Sequence, residues 1–303
     1  AGLVRHWKKR AVALKSKSLT YLRTLPPSNQ AILLRGNRIG QFFHVFLFME
    51  MLAHVALFED RYPDATYPKE MVKGMRVVGP IATSGVWPHD PDRERCSAKC
   101  TIEEFLAGAW DMKAKIRTTL KRDDPSDEIS DKAQEDKAYH FCKGPFTEED
   151  VDRHLGTRDW VPLRRFGVDQ KGGIRVVDDA HENRSNDTTS RDEKLITSSV
   201  DVIVSMIRLW ISIMGVDLGA WALDEFKAYR QIPVHPSERR YCVIAIVNPN
   251  PDPKTKVESP KIEYYVMNGH CFGHTAAVYN YNRRPLALNK ILLTLFKIPT
   301  DFY

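Results

Sequence analysis

The stretch Leu223-Asp224-Glu225-Phe226-Lys227-Ala228-Tyr229-Arg230-Gln231-Ile232-Pro233-Val234 constrains this chain most. An apolar run from Leu218 ends there on a carboxylate, and the pattern predicts a strand over 218–224. A carboxylate at a strand end can hold a divalent cation at a cleft, because hard cations take oxygen ligands. Tyr229, shortly onward, can close a wall of the same cleft. The plainer alternative is a strand leaving a sheet, with a solvated Asp224 and a core Tyr229.

Length and composition leave room for either. The chain has 303 residues, 43% hydrophobic and 28% charged, enough for one large domain or two ordinary ones with a sizeable core. A formal net charge of +6 suits a nucleic-acid partner without demanding one. The cysteines, Cys96, Cys100, Cys142, Cys242 and Cys271, are odd in number and scattered, which argues against a disulfide scaffold and for a reducing, intracellular setting. The longest apolar run, Phe42 to Phe58, is broken by His44, Glu50 and His54 and is short for a membrane span, so no membrane partner is expected.

Along the chain, residues 1–120 read as mainly helical and of unknown role. Val4 to Thr24 forms one helix stopped by Pro26-Pro27, and Ser28 to Phe58 another. Lys69 to Trp87 reads as strand or loop. Thr101 to Leu120 opens with a Thr101/Glu104 capping box. Residues 121–143 are dense in charge and read as an exposed linker. A short helix follows, capped by Thr147. Trp160 to Val168 and Gly173 to Val177 then make a hairpin across Gln170-Lys171-Gly172. Asp178 to Asp192 is a loop, and Leu195 to Met214 a helix stopped by Gly215. Tyr241 to Val247 and Ile262 to Met267 are strands, and Thr275 to Phe296 is a long helix bent at Pro285.

Four features recur in order. Arg164-Arg165-Phe166-Gly167 leads through Lys171 to Arg175 and Asp178-Asp179, then Asn186. Such a basic hairpin can lay cations over clustered phosphates, or simply be solvated and salt-bridged. The Asp224–Tyr229 stretch is second. Third is Gly269-His270-Cys271-Phe272-Gly273-His274. There Gly273, at a strand-to-helix turn, would let a base pair or template approach the backbone, although a glycine at a helix start is ordinary. His270 and His274 flank it where a template would approach. Tyr279 to Arg284 comes fourth, on the following helix.

In this order the four resemble the fingers and palm of a reverse transcriptase, nearest to retrotransposon polymerases with a Phe-Gly turn. The resemblance covers about residues 144–303. It implies an α+β fold: a right-hand polymerase fingers and palm with an antiparallel palm sheet backed by helices, after a mainly helical N-terminal region. It also implies RNA-directed DNA polymerase activity with Mg²⁺ or Mn²⁺, an RNA or DNA template with primer, and deoxynucleoside triphosphates as partners. Asp224 matches the catalytic palm aspartate and metal ligand, with the backbone carbonyl of Glu225 as a further ligand. Tyr229 matches the aromatic gate that rejects a ribose 2′-hydroxyl. Arg175 matches the finger arginine on the triphosphate, with Lys171 or Arg165 as a second cation. Asp179 and Asn186 match structural finger positions, and Phe272 and Gly273 the turn under the incoming nucleotide.

The family carries a second motif, Tyr-x-Asp-Asp, that completes the metal site, and Tyr303 stands where it would begin. The expectation is therefore a piece of a longer polymerase, inactive as the piece alone. Two alternatives stand beside it: a non-catalytic nucleic-acid-binding remnant, and a related RNA-dependent RNA polymerase, against which Tyr229 argues.

Weaker signals lie outside this set. Cys96, Cys100, His140 and Cys142 could form a Cys3His zinc site, or be free thiols on or under a helix. Arg5, Lys8, Lys9, Arg10, Lys15 and Lys17, with Trp7 and Tyr21, could touch nucleic acid or form a solvated helix face.

Overall fold

A computed structural model describes residues 62–120 apart from 65, then 126–215, 224–248 and 261–296, with a few isolated positions nearer the N-terminus. The helices expected over 4–24 and 28–58 and the basic N-terminal patch lie almost wholly outside the described residues, as does the strand expected over 218–224 except Asp224, which is not in a strand.

Five strands form one sheet: β1 (Cys142–Phe146), β2 (Pro162–Gln170), β3 (Gly173–Asp179), β4 (Val243–Val247) and β5 (Ile262–Met267), in the order β1-β5-β4-β2-β3. The β2–β3 hairpin is the expected one, paired from Arg164↔Asp179 to Gln170↔Gly173 around the two-residue turn Lys171-Gly172. Gly172 has φ 104°, a backbone state that side chains disfavour and tight hairpin turns need. Pairs β4–β5 and β1–β5 are also antiparallel.

The expected antiparallel sheet is, however, mixed. Strands β2 and β4 run parallel, with Pro162↔Val243, Leu163↔Ile244 and Arg164↔Ala245 as partners. A hairpin cannot join parallel strands, and the long connection between these two, which includes a helix, permits the crossover.

The helices are α1 (Tyr67–Lys73), α2 (Arg93–Cys96), α3 (Ile102–Ala107), α4 (Ala109–Thr119), α5 (Ser126–Ala138), α6 (Glu148–Leu155), α7 (Val200–Met214) and α8 (Thr275–Phe296). Helix α1 replaces part of the strand or loop expected over 69–87. The expected Thr101/Glu104 capping box is formed, and Thr147, expected as a cap, forms a capping box with Asp150. Residues 101–120 break into two helices at Gly108. Helix α7 ends at Gly215, and α8 carries Pro285 inside it, as expected.

The exposed linker expected over 121–143 is corrected for its described part. Residues 126–138 are helix α5, and Cys142 already belongs to β1. Ile129, Ala133 and Asp136 are buried, at helical spacing of four and three, so one face seats on the protein while the charge-rich remainder faces water.

Strands β4 and β5 are buried along nearly their whole length and alternate between two cores. Ile244, Ile246, Tyr265 and Met267 join Phe105, Ala109, Ile129 and Ala133 on one face. Val243, Ala245, Val247, Tyr264 and Val266 join Ile116, Val151 and Trp160 on the other. The period of two puts successive side chains on opposite faces, and helices covering both faces explain why these strands are apolar throughout. Each fully buried Ile or Val contributes roughly 1.5–3 kcal/mol. That rigid centre holds the turn between β5 and α8.

Candidate functional site

Three segments meet at the 268–275 turn. Arg175 on β3 lies over Phe272, its Cζ 4.2 Å from the ring centroid. Tyr229, in the 3-10 turn Ala228–Gln231, packs its ring 5.3 Å from Phe272. Tyr281, on α8, stands edge-on to Tyr229 at 5.2 Å. Arg175 is exposed and has no carboxylate partner among the described residues, so its N–H groups remain available to an anion. Burial raises the Tyr229 phenol pKa and Arg175 opposes it, so the ring is neutral at ordinary pH.

Asp224 is exposed and makes no ion pair among the described residues. It lies near enough to Tyr281 to help raise that phenol, which burial first and then Glu225 push to about 12. The Glu225 side chain meets Arg284 Nε at 3.2 Å, while its Oε2 is buried without a partner. The Glu225 carbonyl accepts from the Ala228 N–H at 3.2 Å and keeps a second lone pair. Lys171 sits exposed at the hairpin tip.

Beneath the turn lies a buried charge network. Asp178 accepts from Arg165 Nε and Arg230 Nη2, each at 2.6 Å. Asp136 accepts from Arg165 Nη1 at 3.1 Å and Lys227 Nζ at 2.8 Å. Burial alone would raise both carboxyls, but the arginines outweigh it and hold them below the ordinary range. Arg165 is therefore consumed internally, and its expected role as a second phosphate cation is corrected. Arg230 also donates to the His270 carbonyl at 2.8 Å, and Asp178 Oδ2 accepts from the Phe272 N–H at 3.4 Å. The network thus ties both ends of the turn to β3.

Asn186 fixes the turn from another side. It donates to the Gly273 carbonyl at 3.0 Å and accepts from the Thr275 N–H at 2.9 Å, satisfying a donor at the start of α8. Asp179 caps its own loop by accepting from the His181 and Glu182 N–H groups. Gly273 has a packing reason of its own: a Cβ there would lie 1.8 Å from the Asp178 carbonyl oxygen. The backbone that approaches Gly273 is this chain's own.

His270 and His274 do not stand open to a template; both are buried. The His270 Nδ1 meets the Ile232 carbonyl at 3.1 Å and its Nε2 meets the Asn280 amide at 2.8 Å, so the ring is neutral, with burial pushing it down to about 3. His274 differs, having no hydrogen-bond partner on either ring nitrogen. The expected Cys96, Cys100, His140 and Cys142 set does not assemble. Among the described residues the one cluster with metal-ligand chemistry is Cys242, Cys271 and His274. Burial opposes ionisation of Cys271, yet Cys242 and His274 beside it outweigh that and draw it to about 6, while Cys242 moves the other way.

Arg175 and Tyr229, two of the residues the sequence singles out, both contact Phe272 beside Gly273. Sequence reasoning missed Tyr281, Arg230 and Asp136 as supports. It also missed the Cys271-x-x-His274 spacing, a usable signal. Among the described residues, no helix is long and apolar enough to cross a membrane. Comparison with protein-family models, curated proteins and solved structures finds no match.

Proposed function

We propose that this chain is the fingers and partial palm of an RNA-directed DNA polymerase of retroelement type, binding a deoxynucleoside triphosphate over the Phe272-Gly273 turn. One observation carries the reading: Arg175, Tyr229 and Phe272, from three separate segments, pack into one cluster, Arg175 over the Phe272 ring and Tyr229 tilted against it, with Asp224 near Tyr281 at its far side. In this reading Arg175 neutralises phosphate oxygens with its free N–H groups. Tyr229 lies against the sugar and excludes a 2′-hydroxyl by contact, which discriminates more strongly than a lost apolar contact. Lys171 reaches the phosphates from the hairpin tip.

The Asp224 carboxylate and Glu225 carbonyl are hard oxygen donors that fit part of the ligand set of Mg²⁺ or Mn²⁺. An ion held there would offset the triphosphate charge and polarise the reacting phosphate. Two-metal transfer needs further carboxylates, and among the described residues Asp224 belongs to no group of three or more metal-ligating side chains. The chain is therefore proposed to bind without extending a primer. The same observation favours the second reading, a non-catalytic nucleic-acid-binding remnant.

Equilibrium titration separates them. In the polymerase reading the chain binds dGTP with Mn²⁺, and Arg175→Ala weakens binding tenfold or more while Asp224→Ala removes its metal dependence. A chain that binds template-primer but no nucleotide is the remnant; one that binds neither ends both readings.

A further inference from the structure

The Cys242, Cys271 and His274 cluster is independent of the nucleotide stack. Two sulfurs and one imidazole nitrogen lie within 4.8 Å of one another, and all three residues are buried. Zinc bonds of about 2.3 Å to sulfur and 2.0–2.1 Å to nitrogen set ligand atoms roughly 3.4–3.8 Å apart in a tetrahedron, so small side-chain rotations close the set.

His274 supplies the second observation. It is 1% exposed, neither ring nitrogen has a nitrogen or oxygen partner, and the polar atoms it faces in the cluster are the Cys242 and Cys271 sulfurs. A buried polar group without a partner costs free energy, and a metal ion supplies the missing partner for one nitrogen. His270, four residues earlier and equally buried, satisfies both of its nitrogens, so the local fold does not force the deficit.

The donor set selects the ion. Sulfur and imidazole with no carboxylate in the cluster favour a soft or borderline metal over Mg²⁺ or Ca²⁺. Two thiolates with a divalent ion carry no net charge, which a buried site tolerates far better than a lone thiolate.

The ligands are also well anchored. Cys242 directly precedes β4, where its N–H donates to the Arg239 carbonyl and its own carbonyl accepts from the Met267 N–H. Cys271 and His274 flank the Phe272-Gly273 turn just before α8, where the His274 N–H donates to the Cys271 carbonyl at 3.4 Å. We propose that Cys242, Cys271 and His274 bind one zinc ion, which clasps the start of β4 to the turn carrying Phe272. The fourth position falls to a non-protein ligand such as water.

The test uses the full chain, purified with reductant and without chelator. Elemental analysis is expected to give about one zinc per chain. After zinc removal, Co²⁺ alone should bind with the same stoichiometry and show thiolate-to-cobalt charge transfer with tetrahedral visible bands. Both signals should persist when Cys96, Cys100 and Cys142 are all replaced by Ala, and weaken at least tenfold in His274→Ala. Should His274→Ala fail to fold, the first two measurements still decide. Absence of zinc, loss of the thiolate band in the triple variant, or a 2 Da mass deficit marking a Cys242–Cys271 disulfide would each overturn the proposal.

Discussion

The outer and inner sides of the 268–275 turn use the same residue types to opposite ends. Outside, Arg175 rests on Phe272 with its donors free, and Asp224 is exposed. Inside, Arg165 and Arg230 are buried and locked onto Asp178 and Asp136. A guanidinium on an aromatic face keeps its N–H edge for a ligand; Arg165, clamped between carboxylates and buried, has an unpartnered Nη2 but no edge open to solvent. Sequence cannot tell them apart, because Arg165 and Arg175 lie on the same hairpin. Their opposite fates are set by depth: Arg165 pairs with Asp178 near the sheet's core end, whereas Arg175 pairs with Val168 toward the tip.

The largest effect that tests this contrast is on the inside. Asp178→Ala leaves two buried arginines without their shared carboxylate and should destabilise the fold by about 3–5 kcal/mol. Urea unfolding measures it, and a loss under about 1 kcal/mol would mean the network is not held as described. Gly273→Ala comes next. Its Cβ collides with the Asp178 carbonyl and forces a backbone shift costing about 1–3 kcal/mol. An alanine variant of unchanged unfolding midpoint would show that the approach is looser than the geometry.

Acid should act on the same side. Asp136 and Asp178 titrate below the ordinary 3.8 in the folded chain, so their stabilisation is complete above that value and disappears as pH falls through the lower folded pKa. The urea midpoint should drop steeply below about pH 4. Asp136→Asn should start less stable and fall less steeply, and equal slopes would contradict the assignment. The smallest effect belongs outside: Arg175→Ala should change stability by no more than about 0.5 kcal/mol. A larger loss would make Arg175 a structural residue.

Much of this fold was legible because hydrophobic period and turn residues agree. The β2–β3 hairpin follows from Lys171-Gly172, β4 and β5 from short apolar runs, α7 from its terminal Gly215 and α8 from a long helical pattern. Helix α5 was not legible: charge masks an apolar face made of only Ile129 and Ala133, with Asp136 beside them. The parallel pairing of β2 with β4 is a long-range choice that local pattern does not encode. At the site, the resemblance named Arg175, Tyr229 and Phe272 without their packing. The burial of His270 and His274, and the convergence of Cys242 with Cys271 and His274, depend on how α8 enters beneath the turn.

The central claim is that the outer side of the turn takes a deoxynucleoside triphosphate with Tyr229 against its sugar. The most direct measurement is the ratio of dGTP to GTP affinity, with Mn²⁺ present, in the parent chain and in Tyr229→Ala. The account predicts a preference for dGTP of tenfold or more in the parent, reduced to near equality in the variant. Equal affinities in the parent, or a preference untouched by the substitution, would contradict it.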